Sequence, residues 1–296
     1  MTHVRATHDA VCPEISPLDC EEEDIPDHIH DQSLTLLRME PRFSAGLGKG
    51  FLISVAIPVD VKIAGIKYSL MDGTPYEPSY GGLHHRNEDL FGIGDIRLQV
   101  AAYRMIPGTP IVIGARVGLT LPTGKTEDNP FTAAEDSEQH QHLQFGGGTV
   151  DPTVGLELIV RGKSVSERGP KIGMVGKISG RFPLYENPKG YQGPISLNAA
   201  LGPMFRMPEP ADSLQFMTLL TASWMSAERW DGELGENSGL GTVGAGLGMS
   251  WNITPKLSLS GMLSFRLYER AEGAQFTQPI SGTLGISGFF GKPKER

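Results

Sequence analysis

The sequence predicts an all-β chain, an up-and-down antiparallel transmembrane β-barrel of about twelve strands. Three observations carry that expectation. Apolar and polar residues alternate in steps of two along most of the chain, as they do on a strand whose two faces meet different surroundings. Short and long connections alternate strictly, which puts all tight turns at one end and all long loops at the other. The apolar face carries essentially no charge mid-strand, whereas the opposite face carries many charges among Gly, Ser and Thr. A soluble barrel with an apolar ligand inside would have these faces inverted, and it stands as the alternative.

Eleven strands are readable, at about 33–47, 50–65, 89–105, 110–122, 141–161, 170–184, 195–206, 213–226, 239–252, 256–269 and 279–290. Ile111, Ile113, Ala115, Val117, Leu119 and Leu121 alternate with Val112, Gly114, Arg116, Gly118 and Thr120. Leu257, Leu259, Leu263, Phe265 and Leu267 alternate with Ser258, Ser260, Ser264, Arg266 and Tyr268. Phe51 to Val61 and Val150 to Val160 follow the same rule. Bacterial single-chain barrels have even strand counts, so a twelfth strand is expected within residues 1–30 or lost by trimming. Pro41, Pro58, Pro152 and Pro203 fall inside strands, where proline removes a ladder donor, and they predict bulges or strand ends. The expected organisation is an acidic N-terminal segment (1–32) at the long-loop rim, a barrel (33–291) and a basic tail (292–296).

Composition agrees once the period is known. The 296 residues include 38 glycines, about 13% and near twice the usual ~7%. Mean hydropathy is −0.18, which does not exclude a membrane barrel, because only every second residue must be apolar. A net charge of −8 argues against a nucleic-acid partner. Phe43, Phe51, Phe205, Trp251 and Phe290 fall near the short-turn rim on the apolar face, and Phe182, Trp224 and Phe265 toward the long-loop rim. Two such girdles suit a bilayer. No apolar leader follows Met1, so the expectation is a bacterial outer-membrane chain whose signal peptide has been removed or trimmed. The expected partners are the outer-membrane bilayer and a small solute, with the barrel a monomer.

The polar face places ten basic and five acidic residues inward. Arg38, Arg42, Asp60, Lys62, Asp95, Arg97, Arg116, Glu157, Arg161, Lys177, Arg181 and Arg266 are the candidate lumen and selectivity residues. Rings of Arg or Lys favour anions; the plainer reading is a ladder of opposed charges bracing a narrow lumen. The histidines gather toward the long-loop end. His28, His30, His84, His85, His140 and His142, among acidic neighbours, are candidate ligands for a divalent transition metal; polar loops rich in histidine explain them equally. No cofactor is required. Cys12 and Cys20 could close a small disulfide in an oxidising compartment, or remain free thiols. Enzyme readings fail on the residues: there is no G-x-S-x-G elbow, and no helix follows the glycine pairs that might otherwise cradle phosphate.

Three stretches carry a resemblance. Leu90-Phe91-Gly92-Ile93-Gly94-Asp95-Ile96-Arg97, Gly118-Leu119-Thr120-Leu121-Pro122-Thr123-Gly124-Lys125 and Phe145-Gly146-Gly147-Gly148-Thr149-Val150-Asp151-Pro152 occur in that order. They resemble the outer-membrane transporter family linked to phenol meta-pathway degradation. The resemblance covers residues 89–161 and extends elsewhere only by general pattern. It implies a barrel channel for diffusion of small organic, often aromatic or hydrophobic, compounds. A metal-binding surface protein using the histidine-rich loops is the competing function.

Overall fold

The computed structural model describes residues 2–10, 26–78, 86–130, 143–164, 169–235, 238–272 and 278–290. The alternating pattern folds as expected into antiparallel strands. The wall is built from β1 (Thr2–Ala10), β2 (His28–Met39), β3 (Arg42–Gly48), β4 (Phe51–Ala56), β5 (Val59–Leu70), β6 (Glu88–Ile93), β7 (Ile96–Met105), β8 (Ile111–Leu121), β9 (Asp151–Ser164) and β10 (Lys171–Arg181). After β11 (Tyr191–Gln192), outside the wall, come β12 (Ser196–Arg206) and β13 (Leu214–Met225). Short β14 (Arg229–Trp230) and β15 (Glu233–Leu234) precede β16 (Leu240–Thr254), β17 (Leu257–Ala271) and β18 (Ile280–Gly288).

Twelve passes result among the described residues, because β2 continues as β3, β4 as β5 and β6 as β7. The twelfth strand is β1, paired along its length with β2 and at Thr2–Ser281 with β18. As one hydrogen-bonded ladder the sheet is not closed: it begins at β3 and ends at β6. Covalent continuity spans the interruption, at residues 40–41, 57–58 and 94–95.

Two of the strand prolines lie at two of these three interruptions. Pro41 and Pro58 sit between segments, each with its carbonyl still accepting, from Ile57 N at 3.0 Å and Gly94 N at 2.9 Å. Pro203 stays inside β12, and there the ladder to β13 skips Gly202 and Pro203. Pro152 opens β9 opposite Leu119. A missing N–H is thus placed where no partner needs it.

The faces are those of a membrane barrel. Leu98, Val117, Leu156, Leu201, Leu220, Leu247 and Leu284 are exposed on the outside, whereas Asp60, Asp95, Thr120 and Asp151 are buried inside. A soluble barrel with an apolar interior is excluded by this inversion. Phe43, Phe51, Trp251 and Phe290 are exposed near the short turns, with Trp224 exposed toward the other rim.

One strand differs from expectation. The segment 141–161 becomes strand only from Asp151, and residues 143–150 form a glycine-rich turn against the inner wall. Glycines 146 to 148 supply no side chains to either face, so the alternation seen there was not a strand's. At the long-loop end a small sheet of β11, β14 and β15 packs Tyr191 on Trp230, ring centroids 4.7 Å apart.

Candidate functional site: a charged lumen narrowed by a loop

The inward residues of β2 to β10 meet across the strands. Arg38 stands opposite Asp60 in the register and grips it with two bonds, Nε to Oδ1 and Nη2 to Oδ2, both 2.7 Å. Such bidentate pairs fix geometry as well as charge. At the break after β2, Glu40 accepts from Arg42 at 2.9 Å and pairs with Arg97. Farther round, Glu157 pairs with Arg116 at 2.6 Å and accepts from the Tyr103 hydroxyl at 2.7 Å. Arg116 also donates to that hydroxyl at 2.6 Å. Lys177 lies opposite Glu157 in the register.

The three glycine-containing motifs converge at one point. Asp95, 9% exposed, accepts from Gly124 N at 3.0 Å on one oxygen and from Gly147 N at 2.8 Å on the other. Thr123 Oγ1 donates to Gly94 O at 2.9 Å and accepts from Ile96 N at 3.0 Å. Asp151 receives Thr149 Oγ1 at 2.6 Å, and its own N–H donates to Thr120 Oγ1 at 3.2 Å. Asn187 Nδ2 donates to Gly147 O at 3.0 Å. The approach is close enough to require glycine. A Cβ on Gly146 would lie 2.2 Å from Asp95 Oδ1, and one on Gly124 would lie 2.6 Å from Gly146 N. Gly148 has φ +70°, a conformation that other residues rarely adopt.

This node holds residues 143–149 inside the barrel. Lys62 Nζ donates to Gln144 O and sits 4.7 Å from the centre of the Phe145 ring. Gln144, Phe145, Gly146 and Gly147 therefore become part of the lumen wall.

Beside them is a cavity of about 530 Å³. Six cationic side chains line it (Arg38, Arg42, Arg97, Arg116, Lys177 and Arg181), against the three carboxylates Asp95, Asp151 and Glu157. Arg181 reaches Asp151 only at 3.7 Å. A second cavity of about 520 Å³, lined by Ser223, Thr242, Ser264 and Arg266 among others, shares Lys177, Ser179 and Asn198 with the first. Tyr191, on β11 of the small outer sheet, also lines the first cavity. Its hydroxyl donates to Glu228 at 3.1 Å. Burial, with Glu228 beside it, pushes the Tyr191 phenol above its ordinary pKa, so it remains a neutral donor.

The candidate lumen residues thus fall into groups. Arg38, Arg42, Asp95, Arg97, Arg116, Glu157, Lys177 and Arg181 line the first cavity, and Lys177 and Arg266 the second. Asp60 is buried beneath Arg38, and Lys62 is engaged by the loop. Arg161 is exposed at the short-turn end of β9, outside the linings of these two cavities. Sequence reasoning missed Tyr103, Gln144 and Phe145. The first had the signal of an inward parity position between Ala101 and Met105; the other two were read as strand.

Of the candidate metal ligands, His28 and His30 are brought together, Nε2 to Nε2 at 2.9 Å. They lie within β2 and not ahead of the strand. His84, His85, His140, His142, Cys12 and Cys20 lie outside the described residues.

No protein-family model matches this sequence, and no curated protein matches it. Among solved structures, a crystal structure of an outer membrane channel from Pseudomonas putida is similar, with a TM-score of 0.53 at 14% identity over 97% of this chain and 94% of that one. The likeness spans both chains almost completely, and the barrel implied by the three motifs is the one observed. The chain has the fold of an outer membrane channel.

Proposed function

We propose that this chain is an outer-membrane channel, working as a single barrel, through which small organic anions diffuse passively. The observation that carries the reading is the lumen itself: six cationic side chains around a cavity of about 530 Å³, offset by three carboxylates in its lining and by Asp60 and Glu40 paired with Arg38, Arg42 and Arg97, inside a wall whose outer face is apolar. An excess of fixed positive charge in a narrow, partly dehydrated passage lowers the barrier to anions and raises it to cations. The volume suits solutes the size of a substituted aromatic ring. The fold shared with an outer membrane channel supports the location and the role of a passage.

Purified chain reconstituted in planar bilayers tests this. Under a tenfold KCl gradient the reversal potential is expected on the anion side, and aromatic monocarboxylates added on one face should carry current or reduce the chloride conductance. Cation preference, or a folded barrel without conductance, would overturn the reading.

A further inference from the structure

The cations of the lumen are not equally engaged, and the least engaged share one strand. Arg38, Arg42, Arg97 and Arg116 are tied to Asp60, Glu40 or Glu157. Lys177 stands opposite Glu157 in the register, but the oxygens of Glu157 are taken, one by Arg116 and the other by Tyr103. Among the described residues Lys177 forms no hydrogen bond or ion pair. Arg181, at the long-loop end of β10, has Asp151 at 3.7 Å, and one oxygen of Asp151 is held by Thr149.

Both cations line the first cavity with Ser179 between them, at i, i+2 and i+4 on one strand face. On β12, Ser196 stands opposite Arg181 and Asn198 opposite Ser179. On the other side Gly155 of β9 stands opposite Ser179 and adds no side chain. Neither the Ser179 hydroxyl nor the Asn198 amide forms a hydrogen bond among the described residues. Lys177, Ser179 and Asn198 line both cavities, so a solute moving from one to the other passes this row. The row is thus a set of uncommitted donors, charged at each end and neutral in the middle.

We propose that this row binds a dicarboxylate end to end, one carboxylate at Lys177 and the other at Arg181. Ser179 and Asn198 donate to the oxygens that the two cations leave open. The inference rests on the anion-channel reading for its route and adds the class of solute. A rise of about 3.3 Å per residue sets Lys177 and Arg181 about 13 Å apart along the strand. With both side chains extended straight from the wall, charge-assisted bonds of about 2.8 Å at each end leave about 7–8 Å between the outermost carboxylate oxygens. A para-substituted benzene dicarboxylate spans that gap, and so does an extended six-carbon dicarboxylate. An ortho isomer or a monocarboxylate reaches one end only. Glu157 and Asp151, beside the two ends, limit the affinity, which lets the solute leave.

The test is calorimetric titration of the full chain in detergent, at low salt, with terephthalate, phthalate and benzoate. Terephthalate, the para isomer, is expected to bind at least tenfold more tightly than benzoate. It should exceed phthalate, the ortho isomer of equal charge and shorter span, by a similar factor. Lys177→Gln and Arg181→Gln should each bring terephthalate to within about threefold of benzoate. Arg161→Gln, which removes a charge outside both cavities, should leave the preference intact. Should either variant of the row fail to fold, the parent's ranking of the two isomers decides. Equal binding of the isomers, no binding of terephthalate, or a preference that survives both substitutions in the row would overturn the proposal. Binding is read without current. A barrel that binds terephthalate but passes no anions would therefore count against the channel reading alone, and an anion-selective barrel without the preference against the site alone.

Discussion

Replacing Asp95 by alanine should loosen the loop inside the lumen and leave the barrel intact. The carboxylate accepts two backbone bonds, from Gly124 at 3.0 Å and Gly147 at 2.8 Å, and no ladder pair includes Asp95. Hydrogen bonds to a charged group contribute about 1.5–3 kcal/mol each, so the pair is worth about 3–6 kcal/mol before the cost of burying the carboxylate. That cost is reduced because both oxygens are bonded, leaving a net loss of about 2–4 kcal/mol on deletion. The docking equilibrium would shift about thirty- to several-hundred-fold, enough to turn a rare undocked state into a frequent one. In planar bilayers the Asp95→Ala channel should show a larger mean conductance with slow steps between two levels. Asp95→Asn, which keeps one acceptor, should fall between parent and alanine. The melting temperature should change little, because the strands on either side keep their ladders. A folded Asp95→Ala channel with parental conductance and noise would refute the idea that this carboxylate holds a constricting loop.

Other outcomes follow from the same geometry. Gly146→Val should reproduce the Asp95→Ala conductance, since its Cβ would lie 2.2 Å from Asp95 Oδ1; parental single-channel records would count against the node. Lys177→Glu should lower the chloride-to-potassium permeability ratio at least tenfold, because reversing a unit charge about 8 Å from a permeating ion shifts its energy by about 4 kcal/mol at an effective dielectric of about 20, before screening by salt, and reversal potentials check this. Glu157→Gln should raise that ratio by removing the partner of Arg116, at a modest loss of stability. Leu156→Arg, at an exposed site on the apolar face, should cost about 2–4 kcal/mol if it lies near the bilayer midplane, as measured by reversible urea unfolding in vesicles. Thr153→Ser on the opposite face should cost little.

Wall and faces were legible in the sequence because period-two alternation is imposed wherever lipid and lumen lie on opposite sides of one strand. Thus β8 and β10 to β18 of the wall begin and end within a few residues of the pattern. Strand β1 was not legible residue by residue, since Thr2–Ala10 mixes polar residues on both faces; it followed only from the parity of strand count. The glycine run 146–148 misled for a related reason: a residue without a side chain fits any alternation. Charge on the inner face could be assigned from parity alone, but partners could not. Arg38 meets Asp60 across 22 residues and Tyr103 meets Glu157 across 54, and only the register between strands fixes such pairs.

The same node explains why the lumen keeps its positive excess. Counted as formal charges, Asp95 and Asp151 would offset two of the six cations around the cavity. Their oxygens are directed elsewhere, however, Asp95 to the amides of Gly124 and Gly147 and Asp151 to Thr149. Arg181 remains 3.7 Å from Asp151, beyond a normal hydrogen bond. Carboxylates held by backbone amides and a hydroxyl stay in place without drawing the neighbouring guanidinium groups into tight pairs. Arg181 and Lys177 are left available to a passing anion, whereas Arg38, Arg42, Arg97 and Arg116 are each held by Asp60, Glu40 or Glu157. The residues that fasten the loop are therefore also those that set how much positive charge the passage presents, so variants that undock the loop should alter selectivity as well as conductance.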